Sequence, residues 1–290
     1  CFLLPKKEKG HNLCLDKLWH SYQSSIASRE IYFLGRNNLI PGKGAAHLVV
    51  WIKLDWSRAF GDICILEIKG GRVLQIAKHY ERVTATDISK QQLELAQHHP
   101  RVTYVLTQDV LTDQALQSTM GMDGSVDLVT VAMAVHWFDL DTFYSQVKRV
   151  LRKPGGVISV WGYGGPRVSP GVDAVFEKFM ESTMGHWNPK KRYMLEGYRT
   201  LPFPFQPVLP GGSGGCEGNP ALSEMEREVS LEEYVRVFRS WSAVVTAREN
   251  GVDLLNEHVL RAFKEAWGDD EHRIRTCKYH LFLLAGTPSL

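Results

Sequence analysis

Residues 125–139 read Ser125-Val126-Asp127-Leu128-Val129-Thr130-Val131-Ala132-Met133-Ala134-Val135-His136-Trp137-Phe138-Asp139. After Asp127 the run lacks the strict polar alternation of a half-exposed strand, so residues 126–131 read as a strand buried on both faces. Working outward, residues 139–151 are patterned as a helix. Lys153-Pro154-Gly155-Gly156 makes a turn, and residues 157–161 form a further strand. Toward the N-terminus, residues 102–106 and 82–86 are short strands. Between these two lies a helix over residues 89–98, capped by Ser89, with Leu93, Leu95 and Ala96 as apolar positions and Pro100 as its stop. Residues 70–80 place Val73, Ile76, Ala77 and Tyr80 on one helical face, and residues 63–68 are an apolar run of strand length. Five alternations of strand and helix predict an α/β fold, a parallel sheet covered on both faces with its ligand at the strands' carboxyl ends.

Past residue 165 the alternation stops. A helix is expected over residues 172–184, followed by a Pro- and aromatic-rich stretch to residue 210. The run PGGSGGCEGNP (residues 210–220) has the composition of a flexible loop. Helices over residues 231–241 and 252–267 and a strand over residues 277–285 complete the chain. Residues 61–290 therefore read as one unit in which residues 165–276 are a helical cap insertion and residues 277–286 the last sheet strand. Residues 1–60, broken by Pro41, Gly42 and Gly44, are an atypical N-terminal segment.

Composition narrows the function. The 290 residues carry 34 Lys+Arg against 32 Asp+Glu, a formal charge of +2. Residues 1–60 hold nine basic and four acidic side chains, or +5, which leaves −3 for the other 230. A nucleic-acid binder needs a stronger basic excess. No run of 18 apolar residues suggests a membrane span. Five scattered cysteines without a CxxC pair point away from a disulfide framework or a zinc site, and toward reduced thiols in a cytoplasmic setting.

Three positions at the sheet edge carry chemistry. Asp87, 17 residues after Gly70, ends the second strand, where a carboxylate accepts both hydroxyls of a ribose. The alternative is an acid favoured by the following helix dipole. Asp109, after the third strand, is placed to accept from an adenine amino group, although Asp is also common in turns. His136 lies just past the fourth strand, either as a general base or as a hydrogen-bonded turn histidine.

The ordered set of Asp87, Asp109, Val126-Asp127-Leu128-Val129, His136-Trp137-Phe138-Asp139 and Leu151-Arg152-Lys153-Pro154-Gly155-Gly156 resembles the class I S-adenosylmethionine-dependent methyltransferases. It is most similar to the type 11 group that includes trans-aconitate methyltransferase-like proteins. Trp161-Gly162-Tyr163-Gly164 and Gly197-Tyr198-Arg199 extend the likeness into the cap. The resemblance implies a Rossmann-like sheet with a helical cap, S-adenosylmethionine as cofactor, no metal, and a small-molecule acceptor such as a carboxylic acid. It implies a cytoplasmic monomer or homodimer that acts on neither nucleic acid nor membranes. It assigns cofactor contacts to Glu67, Gly70, Gly71, Asp87, Ile88, Gln108, Asp109, Val110, Ala132, Met133 and Trp137. Acceptor contacts fall to Trp161, Tyr163, Tyr198 and Arg199, and the base, where a hydroxyl or amine is methylated, to His136.

One departure stands out. The family places an acid and three alternating glycines after the first strand, because the backbone there approaches the cofactor closely. Counting back from Asp87 puts Gly70 at the third glycine, with Leu66 and Ile68 at the first two and Cys64 at the acid. Alternatively Glu67 is the acid and the loop shortens to Ile68-Lys69-Gly70-Gly71. A methyltransferase-like interaction module without turnover is thus the competing reading. A nicotinamide dehydrogenase is disfavoured, since no G-x-G-x-x-G stands near Gly70.

Overall fold

The computed structural model describes residues 47–52, 72–77, 80–107, 112–208, 214–268, 270 and 272–289. Their strands form one sheet: β1 (His47–Ile52), β2 (Arg82–Asp87), β3 (Val102–Leu106), β4 (Leu128–Ala132), β5 (Val157–Arg167), β6 (Gln206–Pro207), β7 (Ala221–Val229) and β8 (Arg275–Thr287). The order is β3-β2-β1-β4-β5-β8-β6, with β7 also paired to β8. The first five strands run parallel, and β8 is antiparallel to β5. The helices are α1 (Arg72–Ala77), α2 (Lys90–Glu94), α3 (Asp113–Met120), α4 (Leu140–Val150), α5 (Pro170–Thr183), α6 (Arg192–Leu195), α7 (Leu231–Arg239), α8 (Ser242–Glu249) and α9 (Glu257–Trp267). Among the described residues no helix is long and apolar enough to cross a membrane.

The expected alternation from residue 72 to residue 161 is present, with one displacement at its start. The central place between β2 and β4 belongs to β1, inside the segment that the sequence set apart as atypical. Residues 63–68, expected as the first strand, lie outside the described residues. His-Leu-Val-Val-Trp-Ile has the same β-branched and aromatic apolar texture as a doubly covered strand, so pattern alone did not separate the two runs. Helix α2 is also shorter than expected. The Ala96 amide bonds to the Leu93 carbonyl, a tight turn that ends the helix at Glu94, four residues short of the expected end at residue 98.

Register fixes the geometry of the site. Asp87 pairs with Leu106, Trp51 with Thr86, Ile52 with Ala132, and Ala132 with Trp161. The carboxyl ends of β1 to β4 therefore finish on one level. Strand β5 does not stop there. It continues six residues, from Gly162 to Arg167, against the first half of β8, with a register shift between Tyr163 and Pro166. At about 3.3 Å per residue this ribbon projects about 20 Å past the sheet edge.

Two cores follow from that projection. Beneath the edge, Val129, Val131, Ile158 and Val160 pack with Phe143, Val147 and Val150 of α4 and with Phe203 and Phe205. Beyond it, Phe176 and Phe179 of α5 pack with Tyr234, Phe238, Phe263 and Trp267 of the cap and with Cys277, Tyr279 and Leu281 of β8. The cap is not purely helical as expected, because β7 lies within it and joins the sheet. Helix α8 likewise falls between the two helices expected after residue 231.

Candidate functional site

Strand β4 hands the chain to the site through Met133. Its backbone is in the left-handed region at φ 52°, unusual for a residue other than glycine. Two bonds hold it: the Met133 amide donates to the Trp161 carbonyl (2.9 Å), and the Tyr163 amide donates to the Met133 sulfur (3.2 Å). Gly162 makes room for this. A Cβ there would stand 2.6 Å from the Phe282 ring and 3.1 Å from Met133 Sδ. A single 3₁₀ turn over Val135–Trp137 follows. Asp139 then caps α4, its Oδ1 accepting from the Thr142 amide at 2.9 Å. That bond holds the Asp139 carboxyl below its usual range.

A cavity of about 770 Å³ opens beside this turn. The β5–β8 ribbon supplies Tyr163, Gly164, Tyr279 and Phe282, α5 supplies Phe176 and Met180, and the turn supplies Met133 and Trp137. Trp137 is only 7% exposed, and its indole N–H has no hydrogen-bond partner among the described residues. Two lysines close on it. Lys190 Nζ donates to the Trp137 carbonyl (3.1 Å), and Lys191 Nζ lies 5.4 Å from the Trp137 ring and 5.7 Å from that of Trp187.

The residues singled out from the sequence separate into groups. Asp87 is fully buried at the end of β2, its Oδ1 accepting from the Ser89 amide at 2.7 Å, with Ile88 exposed beside it. Ala132 and Met133 end β4 on the same level, one strand away across β1. Glu67, Gly70, Gly71, Gln108, Asp109 and Val110 lie outside the described residues. Tyr163 and Arg199 line the cavity, as does Trp137, which had been assigned to the cofactor.

Trp161, Tyr198 and His136 are not in the cavity wall. Trp161 packs with Ala132, Ala221 and Leu283, and its indole donates to Thr130 Oγ1 at 3.2 Å. Tyr198, fully buried at φ 60°, places its hydroxyl 3.5 Å from His136 Nδ1 and its ring edge-on to Phe282. His136 is 2% exposed. Its two readings were a general base and a hydrogen-bonded turn histidine; here its Nδ1 faces the Tyr198 hydroxyl and not the cavity. Nothing local in the sequence announces the contacts of the two lysines with Trp137, which stands 53 residues before Lys190.

Residues 68–160 match the type 11 methyltransferase family, described as a methyltransferase domain. A candidate methyltransferase of Dictyostelium discoideum is 28% identical over 210 residues, 70% of this chain and 73% of its own. The solved structure of a candidate Type II methyltransferase from Anaeromyxobacter dehalogenans is 27% identical. It aligns over 98% of this chain and all of its own, with a TM-score of 0.64.

Residues 68–160 carry a methyltransferase domain. The family's cofactor is S-adenosylmethionine. Among the residues that the resemblance assigns to the cofactor, Asp87 is a buried carboxylate level with the carboxyl ends of β1 and β3. A ribose needs such an acceptor.

Proposed function

We propose that this methyltransferase moves a methyl group from S-adenosylmethionine to the carboxylate of a small-molecule acid held in the cavity. The observation that carries this reading is the environment of Trp137. An unpartnered indole N–H and two ammonium groups converge where β4 ends, with the His136 ring 5.0 Å from the indole on its other flank. Buried donors take partners, and this set favours an anionic oxygen.

S-Adenosylmethionine, when bound, supplies an electrophilic methyl on a sulfonium. Asp87 would hold the ribose hydroxyls, and the Met133 turn borders the same crevice. Trp137 and Lys191 orient the acceptor carboxylate, and the cap excludes water from the approach. The carboxylate oxygen held by Trp137 and Lys191 would accept that methyl, and the cofactor's sulfur would keep the electron pair of the broken carbon–sulfur bond. No proton is released, so no general base is required. The burial of His136 against Tyr198 is consistent with that economy.

Calorimetric titration with S-adenosylmethionine is the primary test, and Asp87→Ala is expected to weaken binding at least tenfold. No heat at millimolar cofactor would remove the enzyme reading. The pH profile tests the acceptor class. An ordinary carboxylic acid, with a pKa of about 4.3, is fully ionised above about pH 6, so the rate should be flat from there to pH 8. A rate that rises with pH across this range would instead call for a general base.

One observation favours the second reading, a methyltransferase-like module without turnover. The residues after β1 are Lys53-Leu54-Asp55-Trp56, and the first glycine after Ile52 is Gly61. A swap that restores three alternating glycines after the first strand should raise cofactor affinity if the loop limits binding. Unchanged affinity would show that it does not.

A further inference from the structure

The carboxylate is only one end of the acceptor, and the rest of the cavity describes the other. Its wall carries Arg167, Lys191 and Arg199 against Glu177, Glu181 and Glu196, so it has no net positive field for a polyanion. Most of these charges are already engaged. Arg167 bonds to Glu177 at 2.7 Å and lies over the Phe176 ring, Glu196 faces Arg192 at 3.6 Å, and Lys191 sits over two indoles. A second and third carboxylate on the acceptor would meet carboxylates as often as cations.

The remaining wall is apolar and aromatic. Phe176, Met180, Trp187, Val237 and Trp241 line it, and the Trp187 and Trp241 rings lie 5.6 Å apart. Leu195 and Leu222 line it too while 38% and 60% exposed, which puts apolar surface where the cavity meets solvent. A volume of about 770 Å³ is that of a drug-sized ligand site, far more than a three-carbon acid fills.

We propose that the acceptor is an amphipathic monocarboxylate, with its carboxylate at Trp137 and Lys191 and an extended apolar body along Phe176, Met180, Trp187 and Trp241 toward Leu222. The proposal rests on the cavity being the acceptor site. It departs from the polycarboxylate that a trans-aconitate methyltransferase-like sequence suggests.

Quenching of the cavity tryptophans reports binding without any need for turnover. The full chain, without added cofactor, would be titrated with dodecanoate and with propane-1,2,3-tricarboxylate. Dodecanoate is expected to bind at least tenfold more tightly. Leu222→Gln, at an exposed position, and Met180→Gln, which remove apolar surface without adding charge, should each weaken dodecanoate at least fivefold and the tricarboxylate by less than twofold. Equal or tighter binding of the tricarboxylate would overturn the proposal, as would dodecanoate binding that neither variant alters. Labelled-methyl transfer with the same acids separates the two readings. Transfer to neither acid, with the binding ratio intact, counts against the enzyme reading alone. Transfer only to the tricarboxylate upholds the enzyme and overturns the amphipathic acceptor.

Discussion

At the scale of single residues, the turn after β4 is built on close approach. Gly162→Ala would push a methyl into Phe282 and Met133 Sδ, and overpacking of this kind costs about 1–3 kcal/mol. Chemical denaturation should show that loss, and the displaced turn should also weaken acceptor binding. A variant as stable as the parent would mean that Phe282 yields freely. Trp137→Phe keeps the ring and deletes the N–H. A lost hydrogen bond to a charged group should raise KM for the acceptor by about tenfold, with cofactor affinity unaltered. A parallel loss of cofactor affinity would return Trp137 to the cofactor role first read from the sequence. That assignment could not have been settled earlier, because an aromatic beside a sheet edge suits either ligand until the cap is in place.

At the scale of elements, strand β7 shows what local pattern conceals. Ala221, Met225 and Val229 are buried, and the positions between them are largely charged. The charges have partners on β8: Glu226 meets Lys278 at 3.0 Å, Glu224 meets His280 at 3.5 Å, and Glu228 accepts from Thr276 at 2.7 Å. Four apolar residues in nine, two of them adjacent, gave no strand signal, because the strand is specified by a neighbour about fifty residues away. Helix α7, by contrast, announces its own start. The Ser230 hydroxyl accepts from the Glu233 amide, and the Glu233 carboxylate accepts from the Ser230 amide, a reciprocal cap. Ser230→Ala is expected to cost about 1 kcal/mol in a denaturant titration. No change would mean that cap packing alone holds the helix. The core of the α/β alternation was legible for the same reason: strands β2 to β5 and helix α4 each carry their own periodicity and breakers.

At the scale of the whole molecule, the cap core buries groups that resist ionisation. Burial pushes the Cys277 thiol up to about 11 and also raises the Tyr234 and Tyr279 phenols. The folded chain therefore holds these protons more tightly than the unfolded one. Their contribution to stability is intact below the unfolded thiol value near 9 and is lost as pH rises through 11. The melting temperature should fall across pH 9–11, and less steeply in Cys277→Ala. A flat profile would place these groups in water.

The sequence by itself determined the alternation of strand and helix, the acid ending the second strand, and the ordered turns on either side of the fourth and fifth strands. These follow from short-range periodicity and turn chemistry, which a chain expresses wherever it is read. Tertiary structure alone decided the rest. It chose residues 47–52 over another apolar run for the centre of the sheet, and it extended β5 along β8 to carry the cap. It also buried His136 against Tyr198, and it brought Lys190 and Lys191 to Trp137. Each of those outcomes depends on register between distant segments, where one apolar hexapeptide or one lysine is locally as good as another and only the pairing of the whole sheet distinguishes them.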